Sequence, residues 1–267
     1  MIALNTISCQ LPAIHASDDK IVTTASSVIM LDGASAFVPV PVAPAVYAHT
    51  LGNRLQQQLD HAPGGDLTEL LAAAIDDVAA ELDLHPGRSP SSTVTIVREH
   101  DGWLDILLLG DNLVVLPQGA ITDARLSRLD LEPARQYRQR LASGSGFDDT
   151  HRAILRRLQT QQAARRNRPG GYWIAEADPT AARHALVHRV RVREISWVGL
   201  ATDGAYKPMQ HLGLDNWSRL ATLDEAGLQQ ILGRCERWEA RHDPTAVELP
   251  RAKCHDDKSI AFARFTD

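Results

Sequence analysis

Two apolar runs far apart in the chain each stop at an Asp followed at once by a Gly: VIMLDGAS at residues 28–35 and VGLATDGA at residues 198–205. Asp-Gly between apolar segments is a strong hairpin signal, because both residues tolerate positive φ, but a hairpin needs a second strand directly after the Gly. Gly33 is followed by ASAFVPVPVAP, whose prolines cannot donate to a central ladder, and Gly204 by AYKPMQHLGL, which lacks alternation and carries Pro208. Asp32 and Asp203 are therefore expected as carboxylates held at the rim of buried strands. A third Asp, Asp111 in LDILLLGDNLVVL, fits a turn, with strands at 104–109 and 113–116 around Gly110-Asp111-Asn112.

Further strands are expected at 2–8, 27–31, 93–98 and 103–109, two more within HALVHRVRVREISWVGLAT, a short one after RNRPGGYW, and a last one in DDKSIAFARF. HTLGNRLQQQLDH reads as helical. Asp66 caps a second helix, with Glu69 three residues on and Leu67, Leu71, Ile75, Val78 and Leu82 on one face. Helices at 133–141 and 151–164 flank the joint SGSGFDD, and Thr222 with Glu225 reads as a capping box opening a helix that carries Leu228, Ile231, Leu232, Cys235 and Trp238. Strands in runs with helices in pairs argue for an α+β layered domain, because the strand-helix alternation of a parallel sheet is absent.

Composition narrows the function classes. A net charge of -5 with 44% hydrophobic and 23% charged residues is that of an ordinary soluble protein, and nucleic acid is not the expected partner. Cys9, Cys235 and Cys254 are scattered and form no C-x-x-C, so neither disulfides nor a thiolate metal site is expected, and a cytoplasmic location is. No signal peptide and no membrane span are read. A layered fold allows strand ends from distant segments to meet at one edge, gathering Asp32 and Asp203 with the pairs Asp18-Asp19 and Asp256-Asp257. Ionised carboxylates so gathered raise one another's pKa and need cations; all-oxygen ligands select Mg2+ or Mn2+ over zinc.

The ordered blocks SDD at 17–19, LDGAS, SSTVTIV, LLLGDN, LATDGA and DDKSIAF resemble the metal-dependent serine/threonine protein phosphatases of the PPM, or type 2C, family, as a divergent bacterial member. The resemblance spans residues 17–264 and is thin from about 120 to 190. It implies a four-layer αββα sandwich of two antiparallel sheets flanked by helices, as a single domain over 1–267 with a divergent helical, flap-like segment at about 120–190. It implies two ions, Mn2+ or Mg2+: Asp32 bridging both, Asp203 and Asp256 completing the coordination of the first ion, Asp18 and the Gly33 carbonyl serving the second. Asp19 and Asp257 would then support these ligands, and Asp111 would join an additional metal site. The implied activity is hydrolysis of phosphoserine or phosphothreonine in a protein substrate by a metal-activated water, with the protein a monomer.

The chain departs from that pattern in several places. Asp18 stands where many members have Glu, no Arg precedes it, and His15 in LPAIHAS is the one phosphate-binding candidate there. Asn112 replaces a common Ser, and no His follows Asp32-Gly33. The flap region holds QQAARRNRPGGYW, whose Arg165, Arg166 and Arg168 match phosphate chemically, although a solvated charged face is the commoner use of such a run. Tyr172 and Trp173 are expected to anchor the Gly-rich loop in the core. Two alternatives stay open: a non-catalytic or regulatory phosphatase-like binding module, and a two-metal nuclease, which the net charge disfavours.

Overall fold

A computed structural model describes residues 4–265. Strands β1 (Leu4–Leu11), β6 (Leu113–Leu116), β7 (Gly119–Ile121), β9 (Trp197–Ala201) and β10 (Lys258–Phe265) form one five-stranded sheet in the order β1-β10-β9-β6-β7. The second, in the order β2-β3-β4-β5-β8, is built from β2 (Lys20–Thr23), β3 (Ser27–Leu31), β4 (Val94–His100), β5 (Trp103–Leu109) and β8 (Leu186–Arg191). Every pairing in both sheets is antiparallel.

The period-two alternation of the strands sorts their side chains into layers. In β3, Ile29 and Leu31 face helices α1 (Pro44–His61) and α2 (Leu67–Glu81), packing with Leu51, Leu55, Leu71 and Ile75. Val28 and Met30, one residue out of phase, face the other sheet and meet Val114, Leu200, Ala261 and Ala263. On the far side, Ile260 and Phe262 of β10 pack on α5 (Asp203–His211), α6 (Trp217–Leu220) and α7 (Glu225–Arg241) through Met209, Leu220, Leu228 and Leu232. The result is the α+β arrangement of two sheets between helical layers. Helices α3 (Glu132–Ala142) and α4 (Asp149–Ala163) pack on each other in a separate cluster of Tyr137, Leu141, Ile154, Leu155 and Leu158, with Phe37 from the loop after β3.

Several sequence expectations are corrected. Gly110-Asp111-Asn112 does not close a hairpin: β5 pairs with β4 and β8 while β6 pairs with β7 and β9, so the segment carries the chain from one sheet to the other. Gly110 takes φ +94° there, and the Asn112 amide donates to Thr95 Oγ1 at 3.1 Å, fixing the crossing. The cap of α7 is Asp224, whose side chain accepts from Gly227 N, rather than Thr222. Asp66 caps α2 as expected, accepting from the backbone N–H groups of Thr68 and Glu69. AYKPMQH is helical as part of α5, and no strand follows RNRPGGYW; Ala175 makes one isolated bridge to Ser92. Of the strand expected at 2–8, positions 2 and 3 lie outside the described residues.

Candidate metal centre

The carboxylates of Asp18, Asp32, Asp203 and Asp256 arrive from four chain segments, which two close backbone approaches join in pairs. Asp32 follows β3 directly, and its backbone is held by the start of β4: its N–H donates to Thr93 Oγ1 (3.0 Å), and its carbonyl accepts from Thr93 N (2.9 Å) and Ser92 Oγ (3.0 Å). Gly33 then lies against the loop before β2, where a Cβ would come 2.8 Å from the Asp18 carbonyl oxygen. Asp203 and Gly204 open α5 directly after β9, and a Cβ on Gly204 would come 2.0 Å from the Asp257 carbonyl oxygen. Both glycines are therefore explained by close approach, with no turn required. The Asp18 N–H donates to the Asp257 carboxylate, which joins the two pairs.

Asp32, Asp111, Asp203 and Asp256 line a single cleft of about 270 Å³, together with Lys207, Arg166, Tyr172 and Arg138. Burial, and then the charges of Asp19, Asp203, Asp256 and Asp111, push the Asp32 carboxyl well above the usual carboxylate range. Burial and Asp203 raise Asp111 to about 6. Asp256 is raised by burial and by Asp203, against the opposing charge of Lys253. Asp203 goes the other way: burial raises it, but the Lys207 ammonium and a hydrogen bond from Asp32 outweigh burial and hold it low. Lys207 Nζ is 2.6 Å from Asp203 Oδ2, and Lys253 Nζ is 2.9 Å from Asp256 Oδ1.

The remaining sequence candidates divide into neighbours of the cleft and outsiders. Asp19 is buried behind it, accepting from Thr202 Oγ1 at 2.9 Å, while Thr202 Oγ1 accepts from Ser259 N at 3.0 Å. Burial raises Asp19 to about 7 despite its hydrogen bonds with Ser259 and Thr202. Asp18 is half-buried beside Gly33, and its carboxyl is raised chiefly by burial. Asp257 holds the Asp18 backbone. His15, Arg165 and Arg168 are exposed and do not line the cleft. Arg166 does, reaching back from the loop after α4 to Ser89 O (3.3 Å) and Glu176 Oε2 (3.4 Å). Its Nε is buried and finds no partner among the described residues. Tyr172 and Trp173 are buried, Trp173 stacking on His184 with ring centroids 3.4 Å apart.

Sequence reasoning missed Lys207 and Lys253. The spacing Asp203-x3-Lys207 is an i,i+4 helix pair, but it is readable only once AYKPMQH is known to be helical.

Among the described residues, no three His, Cys, Asp or Glu side chains stand ready around a single point as a metal-holding group. The donor chemistry nevertheless fits a hard divalent cation. The cleft offers oxygen donors, four carboxylates among them, with no His or Cys in its lining; glycines stand where backbone must approach closely, and burial together with neighbouring carboxylates raises Asp32, Asp111 and Asp256.

No family model matches the sequence, and no curated protein does. Solved structures do match the fold. The catalytic domain of the serine/threonine phosphatase PstP, determined with two manganese ions, superposes with a TM-score of 0.55 at 14% identity, covering 100% of both chains. The PPM Ser-Thr phosphatase MsPP from Mycobacterium smegmatis, in complex with cacodylate, gives 0.55 at 14% identity, again over 100% of both. PppA, a regulatory component of the type VI secretion system in Pseudomonas aeruginosa, gives 0.54 at 12% identity, over 99% of this chain and 98% of that one. The chain thus has the fold of the PPM-type serine/threonine phosphatases over its length.

Proposed function

We propose that this chain is a divergent PPM phosphatase, one domain over residues 1–267, that hydrolyses phosphoserine or phosphothreonine in a cytoplasmic protein substrate with Mn2+ or Mg2+. The observation that carries this reading is the meeting of Asp32, Asp203 and Asp256, from three distant segments, in one cleft with Arg166. Bound divalent ions supply Lewis-acid activation of water and offset charge on the phosphoryl oxygens. Asp32, Asp203 and Asp256 would hold the first ion, Asp18 with the Gly33 carbonyl the second, and Asp111 an additional one. Asp19 and Asp257 act behind them. Asp19 fixes Thr202, the residue before Asp203, and Asp257 fixes the Asp18 backbone.

The Arg166 guanidinium, which lines the cleft beside the carboxylates and whose buried Nε has no partner among the described residues, orients the phosphoryl group by charge-assisted hydrogen bonds. Glu176 and the buried Tyr172 hold that guanidinium in place. Arg166 fills the role for which no arginine precedes Asp18. Phosphate release from a phosphoserine peptide, measured with Mn2+, with Mg2+ and with a chelator, tests the reading. Metal-dependent release is expected, and release that persists undiminished in chelator contradicts it.

A second reading, a phosphatase-like binding module without turnover, is favoured by the lysines seated on Asp203 and Asp256. Phosphopeptide binding with no phosphate release at any metal concentration would establish it.

A further inference from the structure

We infer that Lys207 and Lys253 are resident counter-ions that compete with divalent cations for the cleft, so that loading a metal requires displacing a lysine ammonium. This rests on the reading of the cleft as a metal centre and adds to it the residues that set metal affinity.

Lys207 stands one helical turn beyond Asp203 on α5, lines the same cleft as Asp32, Asp111, Asp203 and Asp256, and places its ammonium 2.6 Å from Asp203 Oδ2. Lys253 comes from the other side, on the loop before β10, and reaches Asp256 Oδ1 at 2.9 Å. The two carboxylates proposed to share the first ion are thus each capped by a positive charge from this chain. A hard cation arriving between them meets oxygens already in contact with ammonium groups, and repulsion from both. Each lysine has an outward route, because their side chains keep 51% and 29% of their exposure, so they can swing away when an ion takes their place. Other basic groups at the site are spoken for differently: Lys258 Nζ is buried on Glu239 at 2.8 Å, and Lys20 Nζ donates to the carbonyls of Ile14, Ser17 and Asp19. Lys258 Nζ also donates to the Asp256 backbone carbonyl at 2.9 Å, but among the described residues Lys207 and Lys253 are the two lysines whose ammonium groups sit on the carboxylates of proposed first-ion ligands.

Mn2+ titration followed by electron paramagnetic resonance, which counts free ion directly and needs no turnover, tests the inference on the full chain. Lys207→Met and Lys253→Met are each expected to tighten the Kd for Mn2+ by about tenfold or more, because the ion no longer has to break an ammonium–carboxylate contact before it binds. Lys207→Arg, which keeps the charge, is expected to leave affinity near that of the wild type. Equal or weaker Mn2+ binding in both Met variants, with the wild type binding normally, overturns the competition while leaving the metal centre intact. Absence of Mn2+ binding in the wild type and in both Met variants overturns the metal centre and the inference with it. Thermal unfolding without metal, run in parallel, identifies a variant that has failed to fold; a lysine variant that unfolds early is replaced by Lys207→Gln or Lys253→Gln for the same comparison.

Discussion

Gly204→Ala is the sharpest test of how the site is assembled, because helix propensity and packing predict opposite signs. Gly204 lies in the first turn of α5, where propensity alone would have Ala stabilise the helix by up to about 1 kcal/mol. The added Cβ, however, would fall 2.0 Å from the Asp257 carbonyl oxygen, against a limit near 3.0 Å for real Cβ contacts, and 3.1 Å from the Asp256 Cβ. The obstruction is backbone and cannot rotate aside, so α5 and the start of β10 must separate. Overpacking of this kind costs about 3 kcal/mol, leaving a net loss of about 2 kcal/mol once propensity is set against it. For a chain of this size that lowers Tm by roughly 4 °C. The same separation carries Asp203 away from Asp256, so Mn2+ affinity should fall with stability. Gly233→Ala in the middle of α7 is the matched control: its Cβ meets only the mobile end of the Arg237 side chain, at 3.1 Å, and it should stabilise. Thermal unfolding followed by far-ultraviolet circular dichroism reads both. Equal stabilisation of the two variants would refute the close approach of residues 204 and 257.

Further outcomes follow from the same geometry. In chelator, stability should decline as pH rises from about 4 through about 7: the folded protein keeps protons on Asp19, raised to about 7, and Asp111, raised to about 6, that the unfolded chain has already released, so the benefit present at low pH is lost on titration. Urea midpoints across that range measure it, and Asp19→Asn should flatten the decline. Arg166→Lys should raise KM for a phosphopeptide by about tenfold with a smaller change in kcat, the loss expected when fork-like recognition of phosphate becomes a point charge. Arg165→Ala and Arg168→Ala, at exposed positions off the cleft, should change neither. Tyr47→Phe removes the hydroxyl that donates to Glu176 O at 2.8 Å in a fully buried setting, and chemical denaturation should show a loss of about 1–2 kcal/mol.

What could be seen in the sequence, and what could not, follows from the range of the forces involved. The run Ser27–Leu31 and the capped, amphipathic α2 are local patterns, and both were legible. The failed hairpin test at Asp32 and Asp203 was also local, and it placed both residues at strand ends. The segment around Asp111 looks the same whether β5 and β6 pair or part, because buried strands of either sheet read as apolar runs; only the partners β8 and β9, far along the chain, decide it. Helix α5 was hidden by Pro208, which removes a backbone donor but is tolerated where Met209 and Ala205 bury against Ile260 and Phe262. With the helix hidden, Lys207 could not be placed one turn from Asp203, and the cations inside an acidic site went unseen. Among the three flap arginines, composition could not tell Arg166 from Arg165 and Arg168; the loop closed at Gly171, where a Cβ would come 1.9 Å from the Arg165 carbonyl, turns one of them inward.

The most direct measurement is anomalous scattering from crystals of this protein soaked in Mn2+. A manganese peak in contact with the carboxylates of Asp32, Asp203 and Asp256 is expected, with the Lys207 and Lys253 ammonium groups withdrawn from Asp203 and Asp256. Manganese bound elsewhere, or a cleft in which both lysines keep their carboxylates at saturating Mn2+, would contradict it.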